Sequence, residues 1–254
     1  MKGCSMKKIM SLTAFIALTC ATNFNAVSAD LDLGIYELNR GEFKRAIEEF
    51  EPLVTEGYAP AQYQMALIYQ NGWGAPKSKT KAFELMTMAA EQNFSDALFS
   101  LSVMYSEGEV VEKDLKKAFQ LMEKAAKKGM ASAQFNVGVM YANGEGTHRD
   151  YYKAARWYEK SARQNYALAQ FNLAGLYFEG NGVEKSLEQS YLWNYIASKS
   201  GYVPAQKSRD MDEHKLSVKQ IQDTREQAEA LYTNLLEQQE LKVKTRAASE
   251  NLFK

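Results

Sequence analysis

The feature that most constrains this chain is a period of 36 residues. Ala61, Ala97, Ala133, Ala169 and Ala205 stand at that interval, and Tyr69, Tyr105, Tyr141 and Tyr177 keep it. So do Gly72, Gly108, Gly144 and Gly180, and so do Ala82, Ala118, Ala154 and Ser190. Small pairs close each copy: Ala89-Ala90, Ala125-Ala126, Ser161-Ala162 and Ala197-Ser198. A chain that repeats at this length makes one supersecondary unit several times and buries its core by stacking the units.

Each unit reads as two amphipathic helices. In the third copy Ala133, Val137, Met140 and Tyr141 fall at i, i+4, i+7 and i+8, one face of a first helix. Ala154, Trp157, Tyr158, Ser161 and Ala162 form the facing stripe of a second. Between them Asn143-Gly144-Glu145-Gly146 ends the first helix, because glycine takes the left-handed conformation that releases the last carbonyls. Ser78, Asp114, Asp150 and Ser186 recur where the second helix begins, and their side-chain oxygens are expected to cap its free amides. Gln189, three residues beyond Ser186, predicts a reciprocal capping box at that copy alone. Ala66, Ser102, Gly138 and Ala174 are small at one position of the first helix, which predicts close approach of the second. Tyr105, Phe119, Trp157 and Trp193 are expected to fill the space between hairpins.

The run Phe135-Asn136-Val137-Gly138-Val139-Met140-Tyr141-Ala142-Asn143-Gly144-Glu145-Gly146, followed by Asp150 and Lys153-Ala154, resembles the Sel1-like repeat signature, a relative of the tetratricopeptide repeat. Four copies cover 61–96, 97–132, 133–168 and 169–204. The resemblance implies an all-α fold, a right-handed superhelical solenoid of antiparallel helix pairs. Val110 replaces the second loop glycine of the second copy and Ser190 the alanine of the fourth; neither departure is expected to threaten the fold. Within 30–60, Gly34, Gly41, Phe43 and Ala46 resemble a tetratricopeptide hairpin, with a shorter loop than the later copies. In 205–254, Val218, Ile221, Ala228, Leu231 and Leu235 mark a long capping helix, and the polar stretch from Glu237 is expected to fray.

The first 29 residues read as an export signal. Lys7 and Lys8 precede the apolar stretch Ile9 to Leu18, and Val27-Ser28-Ala29 precedes Asp30, so cleavage is expected after Ala29. The apolar stretch is shorter than the roughly 20 residues a spanning helix needs. Cys4 and Cys20 both precede the cleavage point, so the mature chain would hold no disulfide and rely on packing. Ala17-Leu18-Thr19-Cys20 offers a lipoprotein alternative, with Cys20 acylated. Removing Lys2, Lys7 and Lys8 from 31 basic residues leaves 28 against 31 acidic, a net charge near −3. That balance argues against a nucleic-acid partner, which needs clustered cations to displace counterions.

No catalytic, cofactor or metal site is legible. His148 and His214 lack neighbours at ligand spacing, and Gly72 and Gly74 join helix to helix without the strand a phosphate loop requires. The resemblance implies an adaptor or regulator in the periplasm or outside the cell, holding a partner protein or peptide in the concave face lined by first helices. Three positions beyond the core alanines, Gln64, Ser100, Asn136 and Asn172 form a polar column, and Asn71, Glu107, Asn143 and Glu179 form a second. Amides and acids there suit hydrogen bonding to an extended backbone or a glycan. Tyr63, Phe99, Phe135 and Phe171 are expected to pack mainly between repeats. Gln164, beside a hairpin turn, is expected to tolerate alanine. The rival reading is a cell-wall or β-lactam enzyme, since cysteine-rich exported relatives are described as penicillin-binding or β-lactamase-like. Those relatives depend on paired cysteines in each repeat, which this chain lacks. Ser5-Met6-Lys7-Lys8 has the Ser-x-x-Lys spacing but belongs to the signal, and none is recognised at a helix start with a plausible base beside it.

Overall fold

The computed structural model describes residues 31–251; the export signal, its cleavage point, Cys4 and Cys20 lie outside the described residues. The chain divides into two compact units, one reaching Gln92 and including the last residues from Ser249, the other covering Asn93–Ala248. Among the described residues every regular element is a helix.

In the first unit α1, described over 31–39, is followed by α2 (Phe43–Thr55), α3 (Ala59–Asn71) and α4 (Lys79–Glu91). Ala46, Phe50, Leu53, Ala61, Met65 and Ile68 form its buried core, with Leu31, Ile35 and Leu38 of α1 packed against it. Gly34 is needed because the Phe50 ring occupies the space its side chain would take.

The second unit repeats one hairpin. Its first helices are α5 (Ser95–Glu107), α7 (Ala131–Asn143), α9 (Ala167–Glu179) and α11 (Val203–Glu213). The second helices are α6 (Leu115–Lys127), α8 (Tyr151–Ala162) and α10 (Leu187–Lys199), and α12 (Val218–Asn251) follows. Helices α5 to α11 pack in chain order, each on the next. Every first helix starts two residues before its core alanine, so the repeats begin at 59, 95, 131 and 167 rather than at the alanines. The residue just before each start, such as Met130 or Tyr166, is extended, and the alanine is simply the first residue to reach the core.

The turn between helices has one construction. Gly144 at φ 78° ends α7 and its N–H donates to Met140 O. Asp150 then caps α8, its carboxylate accepting from Lys153 N at 2.9 Å. The amide of the capping residue itself is satisfied as well. In all four copies it donates to the carbonyl of the recurring tyrosine: Ser78 to Tyr69, Asp114 to Tyr105, Asp150 to Tyr141 and Ser186 to Tyr177, at 2.9 to 3.0 Å. The capping box expected at Ser186 does not form, because the donor that Gln189 would have satisfied is already bound to Tyr177 O. Gly146 rests so closely on the Leu115 carbonyl at the start of α6 that a side chain would collide with backbone.

Helix α12 lies against α10. Ala228 and Leu235 are buried, Arg225 reaches Tyr191 and Glu213, and Glu229 accepts from Tyr195 and Lys199. Beyond Glu237 the chain continues as helix to Asn251 instead of fraying. Lys242 and Lys244 lie there with Glu240, Lys244 pairing with Glu240 at 3.6 Å, and this run of strong helix formers has propensity to continue without burial.

Candidate functional site

The site is built where the repeat departs from its own pattern. Read by column, position 175 holds glycine where the other copies have Leu67, Val103 and Val139, and Asn194 stands where they have Met86, Met122 and Tyr158. Ser190 replaces Ala82, Ala118 and Ala154. On α11, Asp212 takes the column of Ile68, Met104, Met140 and Leu176, all of them buried apolar side chains. Four positions on α9, α10 and α11, three of them buried, thus depart together from the apolar pattern of the other copies.

Structure brings these four together. They line a cavity of about 160 Å³ between α9, α10 and α11, with Phe171, Phe178, Glu179, Ser208 and Met211 completing its wall. Asp212 is 2% exposed and Asn194 3%. Ser190 Oγ donates to Asp212 Oδ2 at 2.9 Å, and Asn194 Nδ2 donates to the same oxygen at 3.1 Å. Asn194 Oδ1 is buried without a hydrogen-bond partner. Burial pushes the Asp212 carboxyl above the usual carboxylate range, against the hydrogen bonds from Asn194 and Ser190 and the charge of Lys215, which pull it down. Gly175 lines the pocket, and a Cβ added there would meet no atom within 4 Å. Lys215 holds its ammonium 4.2 Å from the centre of the Phe178 ring.

The eight residues expected to bind a partner fall into two groups. Gln64, Ser100, Asn136 and Asn172 are half-buried, and two of their amides are engaged internally: Asn136 Nδ2 donates to Ser132 O at 3.0 Å, and Asn172 bonds the Tyr158 hydroxyl. Asn71, Glu107, Asn143 and Glu179 are exposed at the C-terminal ends of the first helices. Their bonds are local, as in Asn143 Nδ2 to Glu145 Oε1 at 2.9 Å. Of the eight, only Glu179 reaches the pocket. The aromatic column divides as well: Phe135 packs on Tyr158 and Tyr166, whereas Phe171 packs on Tyr202 and also walls the pocket.

Two sets of residues escaped the periodic reading. Ser190 was visible as a departure, but Asp212 and Asn194 signal only when their columns are followed into the last hairpin. Gln134 and Gln164 form the second set. Gln164 Nε2 donates to Gly129 O at 2.9 Å and to Gln134 Oε1 at 2.8 Å, so the residue expected to be inert ties two turns together. The first unit repeats the arrangement with Gln92, Gly57 O and Gln62. Among the described residues no three His, Cys, Asp or Glu side chains gather as a metal site, and no helix is long and apolar enough to cross a membrane.

The comparisons agree with this architecture. The Sel1 repeat family model matches residues 59–94, 95–130, 131–166 and 167–202, the phase that the helix starts give. No curated protein matches the chain. Among solved structures, a protective antigen of uropathogenic Escherichia coli with an SLR fold is similar at 31% identity and a TM-score of 0.72, over 88% of this chain and 48% of that one. The chain therefore spans about half the length of that relative. A Sel1 repeat protein from Oxalobacter formigenes is similar at 26% identity and a TM-score of 0.66, over 69% of this chain and 72% of that one. With four matched repeats, their capped turns and their helix pairs in one register, the chain belongs to the Sel1 repeat family.

Proposed function

We propose that this chain is an exported scaffold that holds a partner protein or peptide against the face presented by its first helices, and that it acts without catalysis. The observation that carries the reading lies in the second unit, where Glu107, Asn143 and Glu179 stand exposed at the ends of successive first helices and the row closes on the Asp212 pocket. Repeats of this kind serve as extended recognition surfaces. Similarity to a protective antigen supports the export reading, which the basic and apolar start of the sequence also favours.

The chemistry near the pocket is that of recognition. The Ser190 hydroxyl is buried and donates to a carboxylate, with no histidine in its wall to act as a base. Ser78-Lys79-Thr80-Lys81 does have the Ser-x-x-Lys spacing at a helix start, a motif the periodic reading passed over. Its hydroxyl accepts from the Lys81 amide, and the Lys81 ammonium lies over the Tyr69 ring at 4.9 Å rather than on the serine.

Photo-cross-linking tests the reading. A benzophenone amino acid placed at 107, 143 or 179 in the full chain, expressed in its own envelope, is expected to give a discrete adduct. The same probe at Lys124 or Lys160, exposed on second helices, is expected to give none. Adducts from the lysine positions alone would move the binding face to the second helices. Nitrocefin and peptidoglycan fragments are expected to turn over no faster with the purified chain than with a heat-treated control.

A further inference from the structure

Helices α10 and α11 keep the packing of the repeat while carrying Asn194 and Asp212 at columns that are mainly apolar in the other copies, and these acceptors specify an occupant. Asn194 Nδ2 donates to Asp212 Oδ2 at 3.1 Å, because the opposite orientation of the amide would set its oxygen against the carboxylate, and this leaves Oδ1 as the atom without a donor. Asn194 and Asp212 both line the cavity, so a carboxylate stands beside an amide whose oxygen lacks a donor, and Glu179 adds a second carboxylate at the wall. A buried acceptor without a donor is costly, and a ligand that brings N–H groups removes that cost. Phe171, Phe178 and Met211 line the rest with apolar and aromatic surface. Aromatic faces attract cations, as Lys215 over Phe178 already shows.

We propose that this pocket receives the cationic side chain of an arginine or lysine carried by the partner protein, its N–H groups meeting Asn194 Oδ1 and the Asp212 carboxylate and its stem lying along Phe171 and Met211. The inference rests on the scaffold reading above and supplies the residue type that the partner presents. Gly175 is what admits the side chain. The other copies carry Leu67, Val103 and Val139 at that column, and they have no polar pair at the columns of Asn194 and Asp212. Lys215 competes from the flank, since its charge acts on Asp212.

The test uses the full chain and three blocked tripeptides: acetyl-Gly-Arg-Gly-amide, acetyl-Gly-Lys-Gly-amide and acetyl-Gly-citrulline-Gly-amide, the last an uncharged counterpart of the first. NMR of the Asn194 side-chain amide reads occupancy. Saturable shifts with the arginine or the lysine peptide are expected, and the better of the two identifies the preferred cation, with citrulline at least tenfold weaker. Gly175→Leu, whose Cβ would meet no atom within 4 Å, is expected to keep a wild-type circular dichroism spectrum and lose the response. Asp212→Asn is expected to weaken binding at least tenfold, and Lys215→Met to strengthen it several-fold. Equal titration by the citrulline peptide, an unchanged response in Gly175→Leu, or no response to either cation would overturn the proposal. Adducts at 107, 143 or 179 without tripeptide binding would remove the pocket from the account and leave the scaffold standing, so the two failures are distinguishable.

Discussion

Two helical glycines in neighbouring first helices isolate the cost of close packing, because helix propensity cancels between them. Gly138 and Gly175 both lie inside helices, so changing either to alanine brings the same gain in helix propensity, about 0.8 to 1 kcal/mol. Their surroundings differ. A Cβ at Gly138 would stand 2.5 Å from Tyr158 Cδ1 and 2.6 Å from Cε1, while one at Gly175 meets nothing within 4 Å. Tyr158 has no easy retreat: it is 3% exposed, its ring packs on Phe135 with centroids 5.8 Å apart, and its hydroxyl bonds Asn172. Overpacking of this kind costs about 1 to 3 kcal/mol. Gly175→Ala is therefore expected to raise stability by up to about 1 kcal/mol and Gly138→Ala to lower it, the difference being the overpacking cost of about 1 to 3 kcal/mol. For a chain of this size that separates the two melting temperatures by about 2 to 12 °C. Thermal unfolding followed by circular dichroism measures it, and indistinguishable transitions would show that Gly138 does not mark a close helix contact.

Three further outcomes follow from particular contacts. Gln164→Ala is expected to cost about 1 to 3 kcal/mol in urea unfolding, because Gln134 Oε1 and Gly129 O lose their shared donor, whereas the exposed Gln120→Ala should stay within about 0.5 kcal/mol. Ser186→Ala removes the oxygen that accepts from Gln189 N at 3.1 Å and is expected to cost about 1 kcal/mol by the same assay. Asp212→Asn should stabilise the chain near neutral pH. The folded-state carboxyl is raised above its unfolded value, so the native state holds the proton more tightly and wild-type stability falls as pH rises through the window between the two. The variant's advantage should accordingly grow across that window, and a constant difference from pH 3 to 8 would contradict the assignment. A substitution that strengthens the fold while weakening cation binding is the mark of a residue kept for function.

Much of the fold was legible because one packing solution is used repeatedly. Glycine at the end of the first helix, an oxygen cap at the start of the second, and a small residue at each close contact carry the same physical demand in every copy, so Gly144, Asp150 and Ala154 could be placed without a structure. Side chains whose role depends on a partner far along the chain were harder. The Gln164 amide finds Gln134, 30 residues away, and nothing local announces the pair. The candidate site was partly legible for the same reason: exposure at Asn143 or Glu179 follows from the helical period, but whether an amide faces solvent or its own helix, as at Asn136, is set by rotamer and neighbour. Asp212 and Asn194 were hidden because they are polar where the pattern is apolar, and their meaning appears only when both close on one cavity.

Calorimetry on the partner captured by cross-linking tests the scaffold account most directly. Changing Asn143 and Glu179 together to alanine removes exposed groups, so folding should be nearly unaffected. Each lost hydrogen bond to the partner is worth roughly 0.5 to 1.5 kcal/mol, or up to about 3 where Glu179 meets a charge, so affinity should fall from several-fold to over a hundredfold. Lys124→Ala with Lys160→Ala, on the second helices, should leave affinity unchanged. Full affinity in the Asn143 and Glu179 pair with a large loss in the lysine pair would contradict the account and place recognition on the opposite helices.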